Sequence, residues 1–259
     1  TCYSGKILRK DDKIKMALDL LPKSMFEAID LLPDASTPVT LFTRHSLREL
    51  VDGQGLAGYD LQLTPQGREL AQEWGSYLIK NTDRVIQHCI SSPIQRCVDT
   101  AALMIEGADG VSPEPNTHTI EIVEQGLLVE PGSFVLDIQQ AAPYFRKQGA
   151  LGFINSFVNN ALPGMKHPIT GVLDVLELIY QTHPKTKSGL SLAVSHDTII
   201  AAIVAVISGN NQIQKADWPA MMEGLFVWFE GDEFPNCKLK WIWRGKTYEL
   251  DVSEFHKVQ

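Results

Sequence analysis

Three polar clusters, each just after a short apolar run, hold the side chains that could do chemistry in this chain. The first is Arg44-His45-x-x-Arg48, after Pro38-Val39-Thr40-Leu41-Phe42-Thr43. The second is Arg96, which follows the run 85–90 and Ser91-Ser92-Pro93. The third is His196-Asp197, after the run 190–195. Guanidinium groups grip anions through fixed N–H donors. An imidazole beside them can attack the bound anion, and a nearby carboxyl can move a proton. Each cluster alone also has a plain structural explanation: an arginine-rich turn, a helix-surface arginine, an aspartate that caps a helix. Their recurrence at three strand ends points to one shared pocket.

The elements that must position these residues read as alternating strands and helices. Short β-branched runs at 39–43, 85–90 and 190–195 predict buried parallel strands, and ligands gather outside the carboxyl ends of such strands. Thr64-Pro65 opens a helix to about Lys80, with threonine as N-cap and proline at the first helical position. Ser92, Pro93 and Gln95 form a capping-box pattern that sets Arg96 in the first turn of the next helix, where the helix dipole also favours an anion. Residues 171–182 and 199–207 predict further helices, the second apolar almost all round and so buried. Residues 116–124 predict a strand. Residues 225–230, 238–243 and 247–250 predict edge strands, with a tight turn at Arg244-Gly245-Lys246.

The remaining segments carry structure or specificity. Residues 1–36 predict two amphipathic helices, ended by Pro22 and Pro33, with Ser24 able to cap the second. The glycine-bearing loop 49–62 and the irregular segment 126–168 are where substrate specificity should reside, the latter as a small helical cap inserted over the pocket mouth. The expected whole is one domain over residues 1–259, an α/β three-layer sandwich with a mostly parallel central sheet.

Bulk properties narrow the function. The 259 residues are 44% hydrophobic and 21% charged, with a net charge of -8. That balance argues against general nucleic-acid binding, which needs an excess of Lys and Arg on one face. No run is apolar for long enough to span a bilayer. Cys2, Cys89, Cys97 and Cys237 show neither CxxC nor metal spacing, and a disulfide is allowed without being implied. His118, His167, His183 and His256 stand in no ligand-spaced motif, so neither a metal nor another cofactor is expected. No intact signal peptide opens the chain, though one already removed would leave no trace. The compartment stays open, with the cytoplasm favoured over export, and the oligomeric state is unreadable.

The motifs Thr43-Arg44-His45 with Arg48, Leu63-Thr64-Pro65-Gln66-Gly67, Ser91-Ser92-Pro93 with Arg96 and Thr100-Ala101, and Ser195-His196-Asp197-Thr198 together resemble the histidine phosphatase, or phosphoglycerate mutase-like, superfamily. They run from about residue 39 to 205 in the family's order, and the His196-Asp197 pair looks like its acid phosphatase branch. The resemblance implies a metal-independent phosphomonoesterase acting on a small phosphate ester. His45 would form a phosphohistidine, and Arg44, Arg48, Arg96 and His196 would hold the phosphate. Asp197 would be the proton donor, with Glu124 in reserve. Arginines beside Asp197 predict an acidic optimum. One departure stands out: Ser46 takes the place of the family's usual glycine.

Three alternatives remain at this level. A mutase could use the same site. A phospho-ligand binding module with a dead site would be favoured by Ser46. A cysteine phosphatase built on Cys89 and Arg96 has the wrong spacing, with six residues between them and Pro93 unable to donate an amide.

Overall fold

The computed structural model describes residues 10–50, 58–112, 119–130, 132–231 and 233–258. A seven-stranded sheet forms its centre: β1 Val39–Arg44, β2 Val85–Ser91, β3 Ile122–Glu124, β4 Gly189–Ser195, β5 Gly224–Glu230, β6 Lys238–Trp243 and β7 Lys246–Asp251. The order across it is β3-β2-β4-β1-β5-β6-β7. The first four are mutually parallel, and β5, β6 and β7 continue antiparallel from β1. Seven α-helices pack around the described sheet: α1 Lys10–Leu18, α2 Lys23–Asp30, α3 Pro65–Thr82, α4 Gln95–Asp109, α5 Ile138–Val158, α6 Pro168–Thr182 and α7 Asp197–Ser208.

Side-chain alternation along the strands divides the core in two, as strands buried on both faces require. Leu41, Leu192, Val194 and Phe226 face one way, against α2, α3 and α4, with Trp74 and Met104 filling that layer. Phe42, Ala193, Leu225 and Val227 face the other, against α5, α6 and α7, with Phe134, Phe153, Phe157 and Ile199. The expected three-layer α/β sandwich is therefore the architecture observed.

Several local expectations need correction. Strand β5 is internal, paired on both sides, so the edges are β3 and β7. The Ser92 hydroxyl does not cap α4 through its third residue. The helix begins later, at Gln95 after Ile94, and Gln95 Nε2 donates to Asp99 instead. Ser24 likewise lies inside α2 and its hydroxyl donates to Glu223. The segment 126–168 does hold helical pieces as expected: α5 is two of them meeting at Gly149 (φ 66°, ψ 177°), whose backbone is not helical, with Pro143 inside the first. It contributes to the core layer over α7. The Arg244-Gly245 turn is as expected: both residues have positive φ, which closes a two-residue hairpin between Trp243 and Lys246.

Two helices set the site from one side, and glycines let them meet. A Cβ on Gly75 would stand 2.0 Å from the Met104 carbonyl oxygen, and one on Gly107 would stand 1.8 Å from that of Gln72. Backbones of α3 and α4 thus touch with nothing between them. Gly107→Ala should destabilise the protein by about 1–3 kcal/mol through overpacking, despite the better helix propensity of alanine. Gly110→Ala, where an added Cβ meets nothing nearer than 3.5 Å, should stay near wild type. Thermal or urea unfolding of the two variants measures the contrast.

Candidate active site

The strand register brings the three clusters together. Arg44 at the end of β1 lies opposite Ser195 of β4, and Ser91 of β2 lies opposite Val194. Beyond those pairs the backbone stays linked: His45 N–H donates to the Ser195 carbonyl at 3.0 Å, and Ser92 N–H to that of Val194 at 2.9 Å. His45, Ser92 and His196 therefore stand side by side, and the His45 and His196 rings are 5.6 Å apart.

His45 is 2% exposed, and both ring nitrogens are engaged. Nε2 faces Arg96 Nε at 3.1 Å, and Nδ1 faces the Ser46 carbonyl at 2.8 Å. Arginine only donates, so Nε2 must carry the lone pair and Nδ1 the proton. Burial is the main reason the imidazole titrates well below its ordinary value, and the Arg44 charge adds to it. The ring is thus a neutral base with its lone pair aimed at a guanidinium.

Ser46 is fully buried, and its hydroxyl points away from His45. It donates to the Gly67 carbonyl at 2.7 Å, while Ser46 N–H donates to the Thr100 hydroxyl at 3.0 Å. Gly67 is needed there because a Cβ would lie 2.1 Å from the Leu47 carbonyl oxygen. Thr64 caps α3 as expected, accepting from Gly67 N–H at 3.0 Å. The Leu63-Thr64-Pro65-Gln66-Gly67 stretch therefore clamps the backbone just after the histidine, at Ser46, Leu47 and Arg48.

Arg96 sits at the second residue of α4, 1% exposed, with Nη1 donating to the Gly58 carbonyl at 2.9 Å. Arg44 Nη2 meets Asp197 Oδ2 at 2.7 Å, and its Nη1 donates to the Pro219 carbonyl at 2.7 Å. Arg48 pairs by a bridge with Leu63 and donates to the Glu49 carbonyl. Burial, then the charges of Arg96 and Arg44, lower its pKa, so the guanidiniums are close enough to repel one another.

His196 is fully buried. Its Nε2 lies 2.9 Å from the Ser92 hydroxyl and 3.6 Å from Cys97 Sγ. Its Nδ1 has no hydrogen-bond partner among the described residues, and the nearest carboxylate oxygen, of Glu130, is 3.7 Å away. Burial, helped by the Arg96 charge, takes this imidazole down to about 3. Ser92 thus supports the second histidine, which its position in a capping pattern hid.

Asp197 begins α7 and is surrounded by donors. Oδ2 takes Arg44 Nη2 and the Trp218 indole N–H at 3.2 Å, and Oδ1 takes Thr198 N–H at 2.9 Å. Glu130 joins the site from the segment before α5. It is 6% exposed, and burial first, then the Asp197 charge, push its carboxyl up to about 8. The hydroxyl of Tyr59 ties down the Glu130 backbone carbonyl at 2.9 Å. Glu124, by contrast, is exposed on the short edge strand β3. No motif marks Glu130 or Trp218, since both lie in irregular segments and reach the site only through the fold.

Cys89 and Cys97 are buried free thiols, both pushed up to about 12 by burial, so neither is a ready nucleophile. Among the described residues no group of three or more His, Cys, Asp or Glu side chains could hold a metal, and no helix is long and apolar enough to cross a membrane. Residues 51–57 of the expected specificity loop, along with His118 and Cys2, lie outside the described residues.

Comparison with known proteins agrees with this fold. The solved structure titled "Mycobacterial hydrolase 1" has a TM-score of 0.55 at 15% identity, over 80% of this chain and 98% of that one. A mycobacterial glucosyl-3-phosphoglycerate phosphatase has a TM-score of 0.53 at 16% identity, over 81% and 100%. A phosphoglycerate mutase from Bacillus anthracis str. Sterne gives 0.50 at 16% identity, over 86% and 98%. These likenesses show a shared fold. No curated protein sequence matches the chain. The family model for the histidine phosphatase superfamily (branch 1) matches residues 40–127, the stretch that supplies His45, Arg48 and Arg96. Residues 40–127 thus match the histidine phosphatase superfamily model, and the fold around them is the one these solved structures share.

Proposed function

We propose that this chain is a phosphomonoester hydrolase that works through a phosphohistidine on His45, with a small phosphorylated molecule as substrate. The observation that carries this reading is the lone pair on His45 Nε2, fixed by the Ser46 carbonyl behind it and by Arg96 in front. An incoming phosphate would take over the Arg96 donor and present phosphorus to that lone pair. Arg44, Arg48 and Arg96 bring three positive charges to a buried site where one carboxylate, Asp197, opposes them, so a dianionic phosphate restores neutrality. His196 offers Nδ1 as a further contact.

In the first step Nε2 bonds to phosphorus as the bond to the leaving oxygen breaks, and an acid protonates that oxygen. In the second, water attacks phosphorus, gives up a proton, and the nitrogen–phosphorus bond breaks. Glu130 suits both steps better than Asp197 does. A carboxyl pushed up to about 8 holds a proton near neutrality. Asp197 instead receives N–H donors at both oxygens, which suits an acceptor that orients Arg44. The optimum in this reading extends through neutrality, in place of the acidic optimum expected from an Asp197 donor. Likeness to the acid phosphatase branch then reduces to the His196-Asp197 pair itself.

The dead-site module loses its one supporting feature, because the Ser46 hydroxyl is committed to the Gly67 carbonyl. Isomerisation of a bound ester without phosphate release would favour the mutase.

Four outcomes test the proposal. His45→Ala should abolish release of phosphate from p-nitrophenyl phosphate, a loss of at least about 1,000-fold, since removing a nucleophile removes the covalent route. For the wild type, kcat/KM should fall as pH rises through about 8, because Glu130 loses its proton there. Glu130→Gln should be about 100-fold slower with that basic limb gone. A limb that persists in Glu130→Gln and vanishes in Asp197→Asn would return the proton to Asp197. Ser46→Gly should keep hydrolysis within about threefold and lower stability by about 1 kcal/mol, read by assay and by unfolding, since one buried hydrogen bond is lost.

A further inference from the structure

The loop from α7 to β5 borders the site, and it is fastened at several points. Asn155 of α5 holds its start, donating to the Ile213 carbonyl and accepting from Ile213 N–H. A short turn, Lys215–Asp217, is closed by reciprocal bonds between Gln214 and Asp217. Arg244, in the β6–β7 hairpin turn, grips the loop from this turn onward. Its Nη1 donates to the Ala216 carbonyl at 2.7 Å and its Nη2 to that of Trp218 at 3.1 Å. The same guanidinium makes a forked pair with buried Glu223, at 2.9 Å on each arm. Glu223 Oε2 in turn accepts from Ala220 N–H at 2.9 Å.

This fastening delivers two groups to the site. The Trp218 indole N–H reaches Asp197 Oδ2, and the Pro219 carbonyl reaches Arg44 Nη1. Since Arg44 Nη2 also lies on Asp197 Oδ2, the four residues close a ring: Asp197, Arg44, Pro219, Trp218. Two donors converge on one carboxylate oxygen, and a carbonyl holds the opposite side of the Arg44 fork. A planar guanidinium binds phosphate well only when its plane is fixed.

We infer that Trp218 is a positioning residue for the reaction proposed above: its indole N–H, presented by the loop that Arg244 clamps, orients Asp197 and through it the Arg44 fork that receives the phosphate. Trp218 touches no reacting atom. Its action passes through Asp197, which distinguishes it from a residue that merely packs.

A double-mutant cycle tests this, with phosphate release from p-nitrophenyl phosphate and calorimetric affinity for inorganic phosphate as readouts. Trp218→Phe keeps an aromatic ring and removes the N–H. Arg244→Lys keeps the charge and removes the fork, so it supplies a second variant should the first fail to fold, as judged by thermal unfolding. Each should lower kcat/KM and phosphate affinity about fivefold to tenfold in the wild-type background, within the range that a single hydrogen bond contributes. Each should change them less than about twofold in an Asp197→Asn background, where the carboxylate to be oriented is gone. Equal factors in both backgrounds, or no effect of either variant in the wild type, would overturn the inference. The phosphate-binding arm does not depend on turnover, so a chain that binds phosphate without hydrolysing esters would defeat the proposed function while still deciding the role of Trp218.

Discussion

Parallel pairing of β4 between β1 and β2 is the constraint on which the site depends. It aligns three strand ends so that His45, Ser92 and His196 emerge side by side, although 151 residues separate the two histidines in the chain. Backbone bonds past the formal strand ends keep that alignment where the sheet stops. Contacts on either flank then fix the side chains. The glycine-mediated contact of α3 and α4 sets Arg96 and the Gly67 carbonyl, and the loop before β5 holds Arg44 and Asp197. Without the register, these groups would be scattered polar residues on separate helices and loops.

Electrostatics turns this alignment into a reactive arrangement. Burying several arginines together is unfavourable in itself, and the site offsets it with one close ion pair, carbonyl acceptors and partial solvent access at Arg48. The same field, added to burial, keeps both imidazoles neutral, which is what a nucleophile needs. Glu130 takes the opposite course, because burial and the Asp197 charge favour its proton over its anion. Asp197, which receives Arg44 and two N–H donors, instead orients a cation.

How much the sequence discloses depends on how local each feature is. Strands β1, β2 and β4 are legible because buried parallel strands are short β-branched runs, and the polar residues at their ends are contiguous with them. The start of α3 is legible because Thr64, Pro65 and Gly67 act on one another. Ser92 misleads because its hydroxyl is taken by His196, 104 residues away, which no local pattern records. Strand β5 is grouped with the edge strands only by its place late in the chain; its unbroken apolar run, Leu225 to Phe229, is that of a strand buried on both faces. Pro143 and Gly149 suggest broken helical pieces, and α5 does break at Gly149 while absorbing Pro143, both pieces held by Phe145, Phe153 and Phe157 in the core. Glu130 and Trp218 are beyond local reading, since each reaches the site only by a tertiary contact.

The stereochemical course at phosphorus tests the central claim most directly. Transfer of an isotopically chiral phosphoryl group from an ester to an acceptor alcohol would be followed by analysis of the product's configuration. Two in-line displacements, onto His45 and off it again, predict net retention. Net inversion would mean that the acceptor attacks the ester directly, and the account of His45 as nucleophile would be wrong.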